Sequence, residues 1–119
     1  MAPLGFETAL DGGDAVVLLH GELDLAGSAA LEAELERLAT LDGVGRVVLD
    51  LSGLEFMDST GLRTVALADR RMKEAERALA LVRGPDVVQR VFEITRMDER
   101  LQFAASLDEL DVGVDVGER

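Results

Sequence analysis

The run RVVLDLS at residues 46–52 constrains this chain most: it is almost wholly apolar and does not alternate. A strand patterned that way is covered on both faces, so it belongs in the centre of a sheet. On its N-terminal side, GFETAL at 5–10 and AVVLLHG from residue 15 read as strands, and DGGD at 11–14 between them reads as a tight turn. These three segments predict a hairpin. From residue 26 to 41 the period changes to that of a helix, with Leu31, Leu35, Leu38 and Leu41 on one face and Glu32, Glu36 and Arg37 largely off it. Gly43 and Gly45 end that helix before the central strand begins.

Beyond the central strand, GLEFMDSTGL at 53–62 reads as a loop feeding a second helix that runs to about Ala75, with Leu62, Val65, Ala66 and Met72 inward. ALALV at 78–82 is a short strand. Gly84 and Pro85 mark the start of a third helix whose buried stripe is Val88, Val91 and Phe92. LQFAA at 101–105 fits an edge strand, and Ser106 with Glu109 forms a capping box for a short last helix. The tail from Asp111, DVGVDVGER, takes no assignment and is expected to be partly disordered. The order β-β-α-β-α-β-α-β-α predicts an α/β fold, a small mixed and mainly parallel sheet packed against helices. A single domain over 5–112 with a flexible tail at 113–119 is the expected division of the 119 residues.

Charge and composition narrow the function. Asp and Glu number 24 against 12 Lys and Arg, a formal net charge of -12, so the surface repels phosphate backbones and anionic headgroups. Direct nucleic-acid binding and membrane insertion are therefore not expected, and the N-terminus lacks the pattern of a signal peptide, which points to the cytoplasm. With no Cys and a single His, thiolate clusters and structural zinc have no ligands. No glycine cluster matches a phosphate-binding or dinucleotide loop, and no cofactor or metal is expected.

The segment DLSGLEFMDSTGLR at 50–63 sets Asp58, Ser59, Thr60 and Gly61 between a buried strand and a helix, where open α/β sheets present their working residues. Asp58 fits an N-cap and Ser59 an exposed first-turn position, where a phosphoryl group would meet the helix terminus and change any interface formed there. Capping alone also accounts for Asp, Ser, Thr and Gly at a helix start. Glu22 and Asp24 form an acidic rim after the second strand, either as ordinary turn carboxylates or as a surface steering a basic partner. A hydrolytic pairing of Ser59 with His20 lacks a nucleophile elbow, and carboxylate-bound magnesium on Glu22, Asp24, Asp50 and Asp58 has no spacing to support it. A binding module, not an enzyme, is the reading that remains.

Through HGELDLA at 20–26, VVLDLSGLEFMDSTGLR at 47–63 and VVQRVFEITRMDERLQFAASLDEL at 87–110, the chain resembles the STAS domains, especially the bacterial anti-sigma factor antagonists. The resemblance implies that Ser59 is the phosphoacceptor of an anti-sigma factor that is also a serine kinase and supplies ATP and the catalytic groups. Glu22, Asp24, Asp58, Thr60 and Gly61 would then lie on the partner surface. The unphosphorylated protein would bind the kinase and free a sigma factor, phosphorylation would weaken that complex, and a serine phosphatase would reset it. Arg63 stands where sporulation-type antagonists usually have Gly, a long cation one turn into the helix that would tune kinase preference, pair with phosphorylated Ser59, or pair with an acidic group of the partner. A STAS scaffold or transport-complex subunit without a sigma-factor partner is the other implied role, and a weak homodimer is compatible with either.

Overall fold

The computed structural model describes residues 2–112. Strands β1 (Gly5–Asp11) and β2 (Asp14–Leu23) pair antiparallel from Gly5↔His20 to Asp11↔Asp14, turning on Gly12 at a φ of 60°. That backbone conformation costs glycine little, which is why the turn is built on it. The chain then alternates: α1 (Leu25–Thr40), β3 (Arg46–Met57), α2 (Ser59–Glu74), β4 (Ala78–Val82), α3 (Asp86–Ile94) and β5 (Phe103–Ala104). The sheet order is β1-β2-β3-β4-β5, with every pair after the hairpin parallel. This is the mixed, mainly parallel sheet that the periodicity predicts.

Successive parallel strands that always step in one direction, joined by right-handed crossovers, place every connecting helix on the same face. Accordingly Leu31, Leu35 and Leu38 of α1, Val65, Ala68 and Met72 of α2, and Val88 and Phe92 of α3 share one core with Val17, Leu49 and Leu81 of the sheet. Phe92 meets Phe103 edge-on, with ring centroids 5.1 Å apart. The opposite face is covered by the C-terminal segment, whose Leu107, Leu110 and Val112 pack on Val16, Val48, Ala80 and Val82. Arg46 fastens that segment: its guanidinium donates to both carboxylate oxygens of Asp14, at 2.9 and 2.8 Å, and to the Leu110 carbonyl at 2.7 Å. These hydrogen bonds to Asp14, with burial opposing, hold the Arg46 pKa above its ordinary value.

Four expectations change. Residues 53–57, read as loop, continue β3 as far as Met57, because β2 also extends and bends to follow it through register shifts at Leu18/His20 and Gly21/Glu22. Gly53 permits this: a Cβ there would stand 2.6 Å from the Leu19 carbonyl oxygen. Pro85 is the N-cap of α3 and not its first residue. The edge strand shortens to two residues, Phe103–Ala104. The last helix is only a 3-10 turn, Asp108–Leu110, and its capping box does not form; the Glu109 carboxylate accepts from the Ala105 amide at 2.9 Å, and Ser106 does not cap. Asp111, at a φ of 56°, turns the backbone out of helical geometry directly after Leu110. The tail expectation concerns chiefly residues 113–119, which lie outside the described residues.

Candidate functional site

Strands β2 and β3 end side by side, at Leu23↔Met57, and each is followed at once by an aspartate and a helix. The two turns are built alike. Asp24 accepts through Oδ1 from the Ala26 and Gly27 amides at 3.1 and 3.3 Å, and Asp58 accepts through Oδ1 from the Thr60 and Gly61 amides at 2.9 and 3.2 Å. Each carboxylate thus satisfies two of the orphan donors of its helix and sits against the positive end of the helix dipole. The Asp58 amide donates to the Leu23 carbonyl at 3.2 Å, tying one turn to the other.

Ser59 is the first residue of α2 and is exposed; Thr60 is half-buried and Arg63 is exposed one turn further on. Gly61 is buried, and its contribution is shape. A Cβ there would meet Met57 Cγ at 2.6 Å, Leu23 Cγ at 2.7 Å and the Leu23 carbonyl oxygen at 3.0 Å. The absence of a side chain lets α2 begin directly against the ends of both strands. Thr64 fixes the next turn, its buried hydroxyl donating to the Thr60 carbonyl at 3.1 Å and, more weakly, toward Glu32 of α1 at 3.4 Å.

Two residues that the sequence patterns do not single out stand at this end of the sheet. Leu25, the first residue of α1, is 76% exposed, and Phe56, paired with Glu22 across the sheet, is 40% exposed. Glu22 is half-buried, its amide bonded to the Ala2 carbonyl at 3.0 Å. With Asp24 it lines a groove of about 460 Å³ walled by Leu4, Phe6, Ala26 and Ala30. The result is an acidic rim with apolar side chains beside an exposed serine.

Other candidate groups stay apart from Ser59. The ring of His20 lies over Gly5, and its Nε2 is 3.0 Å from Glu7 Oε2. Asp50 is buried and accepts from both the amide and the hydroxyl of Ser52, at 2.9 and 2.6 Å. Among the described residues, no three His, Cys, Asp or Glu side chains come together in a metal-binding group.

Residues 6–107 match the protein family described as Mlab, STAS domain. The chain belongs to the STAS domain family. Within it, this STAS domain is 30% identical over 102 residues to the anti-sigma-F factor antagonist RsfB of Mycobacterium tuberculosis, covering 86% of this chain and 82% of that one. Among solved structures it is similar to an anti-sigma factor antagonist from Mycobacterium paratuberculosis, at 25% identity and a TM-score of 0.81 over 89% of each chain. The same fold occurs in the antagonist SpoIIAA, solved unphosphorylated (21% identity, TM-score 0.78, 90% of this chain and 94% of that one). The phosphorylated form of the Bacillus SpoIIAA also aligns, at 20% identity and a TM-score of 0.72 over 90% and 97% of the two chains. This STAS domain accordingly closely resembles the anti-sigma factor antagonists. No helix among its described residues is long and apolar enough to cross a membrane.

Proposed function

We propose that this STAS domain is an anti-sigma factor antagonist of the cytoplasm, binding a serine-kinase anti-sigma factor through the Ser59 end of its sheet and switched off by phosphorylation of Ser59. The observation that carries the reading is the position of Ser59: exposed at the first residue of a helix whose cap, Asp58, is hydrogen-bonded through its amide to the end of the neighbouring strand. Family membership and the two solved states of SpoIIAA support it. Glu22, Asp24, Asp58, Thr60 and Arg63 supply polar partner contacts, Gly61 lets the helix start close to the strands, and Leu25 and Phe56 add the apolar anchors that interfaces of this kind need at their centre.

The chemistry belongs to the partner. The Ser59 oxygen attacks the γ-phosphorus of ATP, the bond to the ADP oxygen breaks, and the hydroxyl proton passes to a base of the kinase. The new group adds a charge of about -1.5 to -2 to a surface that is already acidic, and a tenfold loss of affinity requires only about 1.4 kcal/mol. A phosphatase returns the serine by hydrolysis.

The test is retention of proteins from native lysate, with magnesium and ADP, on wild-type and Ser59→Asp baits both verified as folded. A serine kinase held by wild type and depleted on Ser59→Asp, which then phosphorylates Ser59 with ATP, supports the proposal. Equal retention of a scaffold or transporter component, with no kinase, transfers the domain to the adaptor role.

A further inference from the structure

We infer that Arg63 is the internal counter-ion of phosphorylated Ser59, so that phosphorylation both adds an anion to the partner surface and withdraws a cation from it. The inference rests on the reading of Ser59 as a phosphoacceptor. Two of the donors that a helix start would offer a phosphate are already engaged, since the Thr60 and Gly61 amides are bonded to Asp58 Oδ1, and the Ser59 amide is the one left open beside them. One amide cannot satisfy the three acceptor oxygens of a phosphoryl group on Ser59, which needs a further donor. The cation one turn along the same helix is Arg63, four residues away on the same exposed strip, the spacing at which an anion followed by a cation is favourable.

Arg63 is also available. Arg37, Arg46, Arg71, Lys73 and Arg83 each lie within salt-bridge distance of a carboxylate, and Arg77 donates to the Leu38 and Leu41 carbonyls. Arg63 has no ion pair or side-chain hydrogen bond among the described residues; Arg70, Arg90, Arg96 and Arg100 share that state, but of these only Arg63 stands within one turn of Ser59 on α2. A guanidinium can grip a phosphate with two parallel donors, which makes this pair stronger than a carboxylate pair at the same spacing. The pair adds to the favourable interaction of the phosphate with the N-terminal end of the α2 dipole, so the phosphorylated helix start is held in place.

The test uses full-length protein with phosphoserine encoded at position 59, so it needs no kinase. The midpoint of the second phosphate ionisation is read by phosphorus NMR in wild type, Arg63→Gln, Arg63→Lys and Arg70→Gln. Asp58, Glu22, Asp24, Glu32 and Glu55, carried by the neighbouring strands, turns and helix, are the same in every variant and raise the midpoint equally. Pairing with Arg63 favours the dianion, so Arg63→Gln is expected to raise the midpoint by about half a pH unit, with Arg63→Lys between the two and the difference shrinking at high salt. Arg70→Gln, an exposed cation further along α2, is expected to leave it in place. Equal midpoints in wild type and Arg63→Gln, or an Arg70→Gln shift as large as that of Arg63→Gln, would overturn the inference. A kinase that never modifies Ser59 would defeat the proposed function while leaving this measurement interpretable.

Discussion

The Leu23 carbonyl accepts from the Asp58 amide at 3.2 Å, so the turn that carries Ser59 is fastened to the end of a different strand. Leu23 also crowds Gly61, with its Cγ 2.7 Å from where a Cβ would stand. The serine is thereby presented by two strand ends and not by a free loop. Replacing Gly61 with Ala is expected to cost about 1–3 kcal/mol by overpacking and to lift the start of α2 from the sheet. Denaturant unfolding reads the loss, and amide shifts of residues 58–62 read the displacement.

Asp58 has two separable roles, a cap and a charge. Asp58→Ala is expected to destabilise the domain by about 1 kcal/mol through the lost cap, whereas Asp58→Asn keeps a capping oxygen and costs a few tenths at most. Any loss of partner affinity in Asp58→Asn, compared by calorimetry with wild type, then belongs to the charge alone.

Leu25→Ala and Phe56→Ala probe the apolar part of the surface. Leu25 is so exposed that its truncation is expected to shift stability by no more than about 0.5 kcal/mol, while either substitution weakens the kinase complex by about tenfold or more. Titration of the purified partner measures both. Unchanged affinity in each variant would place the interface elsewhere.

Glu34 gives the fold an acid-sensitive contact away from Ser59. Its carboxylate accepts from Arg37 Nε and Nη2, both at 2.9 Å, and from the Thr8 hydroxyl at 2.6 Å. The Arg37 hydrogen bonds chiefly, opposed by burial and aided by Thr8, hold its pKa below the ordinary 4.5. A folded pKa below the unfolded one means that this contribution is complete above about pH 4.5 and is lost as pH falls through the lowered value. Thermal melts from pH 7 to 3 should therefore decline less steeply at the acid end in Glu34→Gln than in wild type.

Local patterns made much of this legible. The unbroken apolar run around Val48 marked the central strand, the Leu31, Leu35 and Leu38 stripe marked α1, and Asp58 was readable as a cap because an aspartate before a helical period has little else to do. What stayed hidden depends on contacts between distant residues. GLEFM has the glycine and polar content of a loop and becomes strand only because the bulged end of β2 follows it. Leu25 has the composition of a core residue, and only the direction in which α1 leaves Asp24 puts it in solvent. The cover on the second face rests on Arg46 reaching Leu110, a contact across 64 residues that no local period announces.

The measurement that bears most directly on the central claim is the affinity of the retained serine kinase for three forms of the full chain: unmodified, Ser59→Ala, and carrying encoded phosphoserine at 59. The account predicts that the unmodified and Ser59→Ala proteins bind alike and that the phosphoserine form binds at least tenfold more weakly. Equal affinity of all three would contradict it, leaving Ser59 as the first residue of a well-capped helix and no more.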